Sequence, residues 1–200
     1  MNRDKSHLKP TVVFARWVSW IGHPLVFITL SVGIIVTLRL ANGAGLALLL
    51  TLLATVILPM ALLLFRGFQS GQWSDPDVSI RAGRVRFYPR AISISLVAVI
   101  VLLLMHAPAF ALRGATMTLF LLIIAALINF RIKLSLHTLF AFYSAIILLV
   151  VNPVVGAVAF GLALLVFWSR LYLKRHDLSE TLVGTFLGLL GGLVTACYYR

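Results

Sequence analysis

The sequence predicts an all-α, polytopic transmembrane helix bundle of six or seven spans, and three observations predict it. Of 200 residues, 62% are hydrophobic, with a mean hydropathy of +1.07. The apolar residues fall in long uninterrupted runs that exceed what a soluble core needs. The charge is confined to short segments between those runs: seventeen Lys and Arg against five Asp and Glu, a net +12. So basic a chain favours anionic lipid and phosphate at its loops. No soluble basic domain is present to carry a nucleic-acid interface, so no nucleic-acid partner is expected. The single cysteine, Cys197, makes no internal disulfide, and the redox compartment stays open.

Residues 1–16 read as a basic cytoplasmic tail, and residues 17–200 as one transmembrane domain. The run 17–40 is too long for a signal-peptide core and is expected to be a retained first span. His23-Pro24, early in it, reads as an interfacial histidine beside a first-turn proline. Asn42-Gly43-Ala44-Gly45 is expected to turn the chain into a second span, 46–65, kinked at Pro59. The longest polar segment, 66–90, follows, with Ser74-Asp75-Pro76 as a turn. A third span, 91–112, is interrupted near His106 and Pro108, and Arg113-Gly114 turns into a shorter fourth, 115–130.

The stretch 129–137, NFRIKLSLH, is cationic and carries His137. The run 139–151 is short for a span and borrows length from 134–137 if the site sinks below the surface. Asn152-Pro153 turns into a sixth span through Leu173, and 182–199 is the seventh. Gly184, Gly188 and Gly192 lie four apart on one face of it, a spacing that permits close helix contact. Two runs separate each of the polar segments 66–90, 129–137 and 169–180 from the next, so all three meet on one face.

The segment 169–180, SRLYLKRHDLSE, is where chemistry would reside. Cations at span ends commonly only snorkel to headgroups. His176 and Glu180, however, share a helix face, and a carboxylate there orients an imidazole. Asp177 and Glu180 also fit a capping box for the last helix. The spacing Ser-Arg, five residues, His, three residues, acid resembles the third signature of the type 2 phosphatidic acid phosphatase superfamily, with Glu180 where that family has Asp. Ser135-Leu136-His137 resembles its second signature, with Leu134 and Leu136 in place of Pro and Gly. Lys133-x-Ser135-x-His137 is similar to a divergent branch. Arg81 with Tyr88-Pro89 keeps the spacing of the first signature without its second cation, a place open to Arg84 or Lys133.

The resemblance implies a site. His176 would attack phosphorus to give a phosphohistidine, with Glu180 orienting its ring. His137 would protonate the leaving oxygen and later activate water. Arg170, Ser135, Lys133, Arg81 and Arg84 would hold phosphate oxygens. The residues alone leave Arg81, Arg84, Arg86 and Arg90 equally readable as positive-inside charges. The crowd of Arg and Lys opposes a dication, and no metal or cofactor is expected.

The implied function is a metal-independent lipid phosphate phosphatase acting on an isoprenoid or glycerolipid phosphate or diphosphate. The alternatives are a non-catalytic family member and a transporter or scramblase of phosphorylated lipids. Fourteen of seventeen cations fall on the motif side, with Arg39, Arg113 and Arg200 opposite, so the site is expected to face the cytoplasm across the cytoplasmic membrane.

Overall fold

The computed structural model describes residues 9–40, 42–73, 78 and 80–198. Among them are nine α-helices, one π-helical turn and no strand. In order they are α1 Pro10–Ile21, α2 Pro24–Arg39, α3 Asn42–Leu52, the π turn Leu53–Ile57, α4 Leu58–Gln69, α5 Arg81–Leu104, α6 Ala109–Ile128, α7 Leu136–Val151, α8 Pro153–Tyr172 and α9 Leu178–Cys197.

The protein is an integral membrane helix bundle. Five segments are long and apolar enough to cross a bilayer: 43–69, which joins α3 to α4, and α5, α6, α8 and α9. The α1–α2 pair passes the same test as a broken element bent by 56°. At 16 residues α7 is about 24 Å long, short of the roughly 30 Å hydrocarbon layer. It sits at the centre instead, packed against α2, α8 and α9, with eleven of its residues buried. A helix apolar all round is stable only in such a place.

Close approach to α7 is written in glycine. A Cβ on Gly184 would press on the Ser135 carbonyl and the Thr138 hydroxyl, one on Gly188 on the Leu139 carbonyl, and one on Gly192 on Ile146. The stripe on α9 thus lies on the backbone of α7 from its cap onward. Gly156 of α8 meets the α7 backbone at Leu149 in the same way. Through these contacts the start of α9 is fixed against the start of α7, and both carry candidate site residues.

Several boundaries differ from the sequence-based expectation. The first run is not one straight span: it breaks at Gly22, and Pro24 opens α2 because a proline at a first helical position forfeits no helix hydrogen bond. Helix α1 also begins at Pro10, inside the expected tail, and packs across the last turns of α8 through Thr11–Tyr172 and Phe14–Trp168. Asn42-Gly43-Ala44-Gly45 is the first turn of α3 and not a loop. The irregularity attributed to Pro59 appears one turn earlier as the π turn, since Pro59 cannot donate to residue 55 and its ring crowds that carbonyl.

The largest shift is at α5, which begins ten residues before the predicted third span. Arg81, Arg84, Arg86 and Arg90 are therefore helical, and Pro89 lies inside the helix. The following turn comes at residues 105–108, where His106 takes φ 52°, and not at Arg113-Gly114, which are within α6. The expected turn at Ser74-Asp75-Pro76 lies outside the described residues.

Candidate functional site

Two helix-end motifs, back to back, place His176. Helix α8 ends in a Schellman motif: Lys174 adopts φ 52°, its N–H donates to the Leu171 carbonyl, and the Arg175 N–H donates to the Arg170 carbonyl. Helix α9 then starts with a capping box, the Glu180 N–H donating to Asp177 at 2.8 Å and the Asp177 N–H to Glu180 Oε2 at 3.4 Å. That bond from Glu180, then the Ser179 hydroxyl, holds the Asp177 carboxyl below its ordinary range, so the cap stays charged. His176 stands between the two motifs with no slack, turned inward and 5% exposed.

Its ring is held at both nitrogens. Nδ1 lies 2.8 Å from Glu180 Oε2, and Nε2 lies 3.4 Å from the Arg84 guanidinium. A carboxylate only accepts and a guanidinium only donates, so Nδ1 carries the proton and Nε2 presents its lone pair. Burial, then the positive charges of Arg84, Arg170 and Lys133, pushes the His176 pKa down to about 2. His176 is thus a neutral, oriented imidazole with its unprotonated nitrogen facing a buried arginine. The Glu180 carboxylate makes both the capping-box contact and the histidine contact, so the two sequence readings of it hold together.

Arg84 is 2% exposed and bridges three elements. Its Nε donates to the Val78 carbonyl at 3.0 Å, and one terminal nitrogen donates to the Leu134 carbonyl at 2.6 Å. Arg170, 1% exposed, donates to the Ser19 hydroxyl at 2.6 Å and faces His137 Nε2 at 3.5 Å. His137 occupies the first turn of α7, and Ser135 caps that helix by accepting from the Thr138 N–H. The Ser135 N–H donates to the Glu180 carbonyl at 3.1 Å, tying the α7 cap to α9.

The structure therefore brings together His176, His137, Glu180, Arg170, Arg84 and Ser135. Lys133 lies at the rim, 3.5 Å from Glu180 Oε2 and donating to the Arg175 carbonyl, where it charges the site through Glu180. Arg81 is placed elsewhere: it donates to the carbonyls of Asn129 and Phe130 at the end of α6. Of the two candidates for the missing first-signature cation, Arg84 is the one beside the histidines, because one helical turn separates it from Arg81 on α5.

Two residues were not singled out from the sequence. His23, read as interfacial, packs edge-on against His137 with ring centroids 5.4 Å apart, while its Nδ1 accepts the Leu25 N–H as the cap of α2. Ser19 anchors Arg170. The signal available for His23 was the His-Pro pair itself, a cap and first-turn proline that mark a helix start inside an apolar run. Among the described residues no three His, Cys, Asp or Glu side chains converge as a metal-binding group.

No protein-family model, curated protein or solved structure matches the chain.

Proposed function

We propose that the protein is a lipid phosphate phosphatase that works through a phosphohistidine on His176. The observation that carries this reading is the state of His176: a neutral imidazole oriented by Glu180, its lone pair aimed at Arg84, in a buried pocket shared with His137 and Arg170. Such a constellation supplies what phosphate-ester hydrolysis asks for, namely a nucleophile, a proton donor and fixed positive charge around the equatorial oxygens. It also accords with the resemblance to the type 2 phosphatidic acid phosphatase superfamily.

In the proposed cycle the phosphate enters between Arg84 and Arg170, whose guanidiniums turn from the histidine nitrogens to its oxygens. His176 Nε2 attacks phosphorus as the bond to the lipid oxygen breaks, and His137 gives that oxygen a proton. Negative charge on the bound phosphate supports the protonated form His137 needs for this step. His137, now neutral, takes a proton from water, whose oxygen attacks the phosphohistidine. The products are a lipid alcohol and inorganic phosphate.

Phosphate release by purified protein from a panel of isoprenoid and glycerolipid phosphates tests the reading. The expected result is turnover that survives a chelator; no release from any member would refute it. Lipid movement in proteoliposomes without phosphate release would point to a transporter.

The site is proposed to face the cytoplasm. Helix α1, which Lys9 precedes and which carries Arg16, packs against the motif end of α8, and the opposite end gathers Arg39 at the end of α2 and Arg113, which donates to the Tyr198 carbonyl. A cysteine at Ser6, in a Cys197→Ser background, should resist a membrane-impermeant maleimide in intact cells. Ready labelling would reverse the orientation.

A further inference from the structure

Among the described residues, two cavities extend from the phosphate site along the bundle, and the chemistry proposed above uses none of their apolar walls. The first opens at the site. Its walls include His23, Arg84 and His137, and beyond them it is lined mostly by apolar side chains of α2, α4, α5 and α7. The second lies farther from the site, reaching Phe110, Gly114 and Tyr143. Gly114 is next to Arg113, which bonds Tyr198 at the end of the bundle opposite the site. Five residues line both spaces: Ile28 of α2, Val56 and Ile57 of the π turn, Ser95 of α5 and Thr118 of α6.

These five, drawn from four elements, make up the throat at which the two spaces adjoin. Along α7, His137 lines the outer end and Ile147 the inner, ten residues or about 15 Å at helical rise. The π turn has a reason to exist here. A turn closed one residue wider than an α-turn displaces Val56 and Ile57 from the regular helix surface, and both displaced residues stand at the throat. Ser95 and Thr118 are the small side chains of the throat. Ser95 turns its hydroxyl back onto the Ala91 carbonyl, which leaves an apolar wall.

We infer that the two spaces join into one channel that holds the tail of the substrate, and that the substrate is a phosphorylated lipid with a single hydrocarbon chain. The inference rests on the phosphatase reading for its headgroup and on the cavities for its tail. Cationic groups at one end and apolar walls over the remaining length complement an amphiphile with one anionic head, inserted head last. The two spaces follow one another along α7, from His137 and Phe140 to Tyr143 and Ile147, an arrangement that suits one extended chain. About 15 Å accommodates roughly a dozen carbons of an extended chain, given C–C bonds of about 1.5 Å in a zigzag. Leu136, which departs from the glycine of the second signature, is part of the same wall.

The test is binding, so that it stands apart from catalysis. Hexadecylphosphonic acid and butylphosphonic acid, neither of which can be hydrolysed, are titrated into the full-length protein in detergent. Thr118→Phe fills the throat from α6, and Ile28→Trp fills it from α2. Each should lower the ratio of long-chain to short-chain affinity at least tenfold. A ratio unchanged in both variants would overturn the channel, whatever the activity. A two-chain phosphatidic acid analogue that binds as tightly as the single-chain probe would overturn the single-chain assignment. If the long probe binds in this throat-dependent way and no lipid phosphate is hydrolysed, the channel stands and the phosphatase reading falls.

Discussion

Replacing His176 with Ala should lower phosphate release by at least about a thousandfold, the scale on which removal of a covalent nucleophile acts. The loss should appear in kcat, because the tail and the two arginines still bind substrate. His176 caps no helix itself: Asp177 caps α9, and the Lys174 turn closes α8. The variant should therefore elute as the wild type does and retain its thermal midpoint within a few degrees. His176→Gln is a useful companion, since an amide can keep a hydrogen bond to Glu180 and still lacks the attacking nitrogen. Full activity in either variant would remove His176 from the chemistry.

Arg84→Gln should cost about 100- to 1000-fold in kcat/KM, because a charged donor aimed at the transferring phosphoryl group is lost. It should also change the pH profile, with a sign that follows from the electrostatics. In the free protein His176 is held down to about 2, by burial first and by Arg84 as the leading charge. A nucleophile whose pKa lies that low stays neutral at working pH, with its one proton on Nδ1 and Nε2 unprotonated, so the acid limb of the wild-type profile does not come from His176. Removing Arg84 lifts one of the suppressing charges, and the pKa climbs toward the ordinary 6.5. As pH falls a larger fraction of His176 is then protonated, and the acid limb of kcat/KM moves to higher pH. Arg84→Lys keeps the charge and loses the fork that reaches Val78 and Leu134. It should lose activity while leaving the limb low. A merely structural Arg84 would move the rate in both variants and the limb in neither.

The parts of this arrangement that the sequence makes legible are those set by local chemistry. Long apolar runs give the membrane bundle. Asp177 and Glu180 give the start of α9, and glycines four apart give the face of α9 that lies on α7. The pairing of His176 with Glu180 follows from the same short-range spacing. What escaped needs tertiary information. A 24-residue apolar run reads the same whether straight or broken at Gly22, so His23 could not be seen to reach His137. The run of arginines from 81 to 90 is polar enough to resemble a loop, yet it opens α5. Only the placement of that helix against residues 129–134 distinguishes Arg84, which turns to the histidines, from Arg81, which turns to the end of α6. The channel was illegible for a related reason: its throat is assembled from α2, the π turn, α5 and α6, and no single stretch of sequence bears its mark.

The account turns on one covalent bond, between phosphorus and His176 Nε2. In a His137→Ala variant the group that activates water is missing while the nucleophile remains, so with a substrate whose leaving group needs no proton the intermediate should accumulate. The measurement is peptide mass spectrometry after an alkaline quench, which preserves phosphohistidine, during turnover of a single-chain lipid diphosphate, whose leaving phosphate departs without the proton that His137 gives. The result expected is one phosphoryl group on the peptide that contains His176, absent when His176 is also replaced. Phosphate release with no phosphoryl group ever found on that peptide, or with the group found on another side chain, would contradict the account.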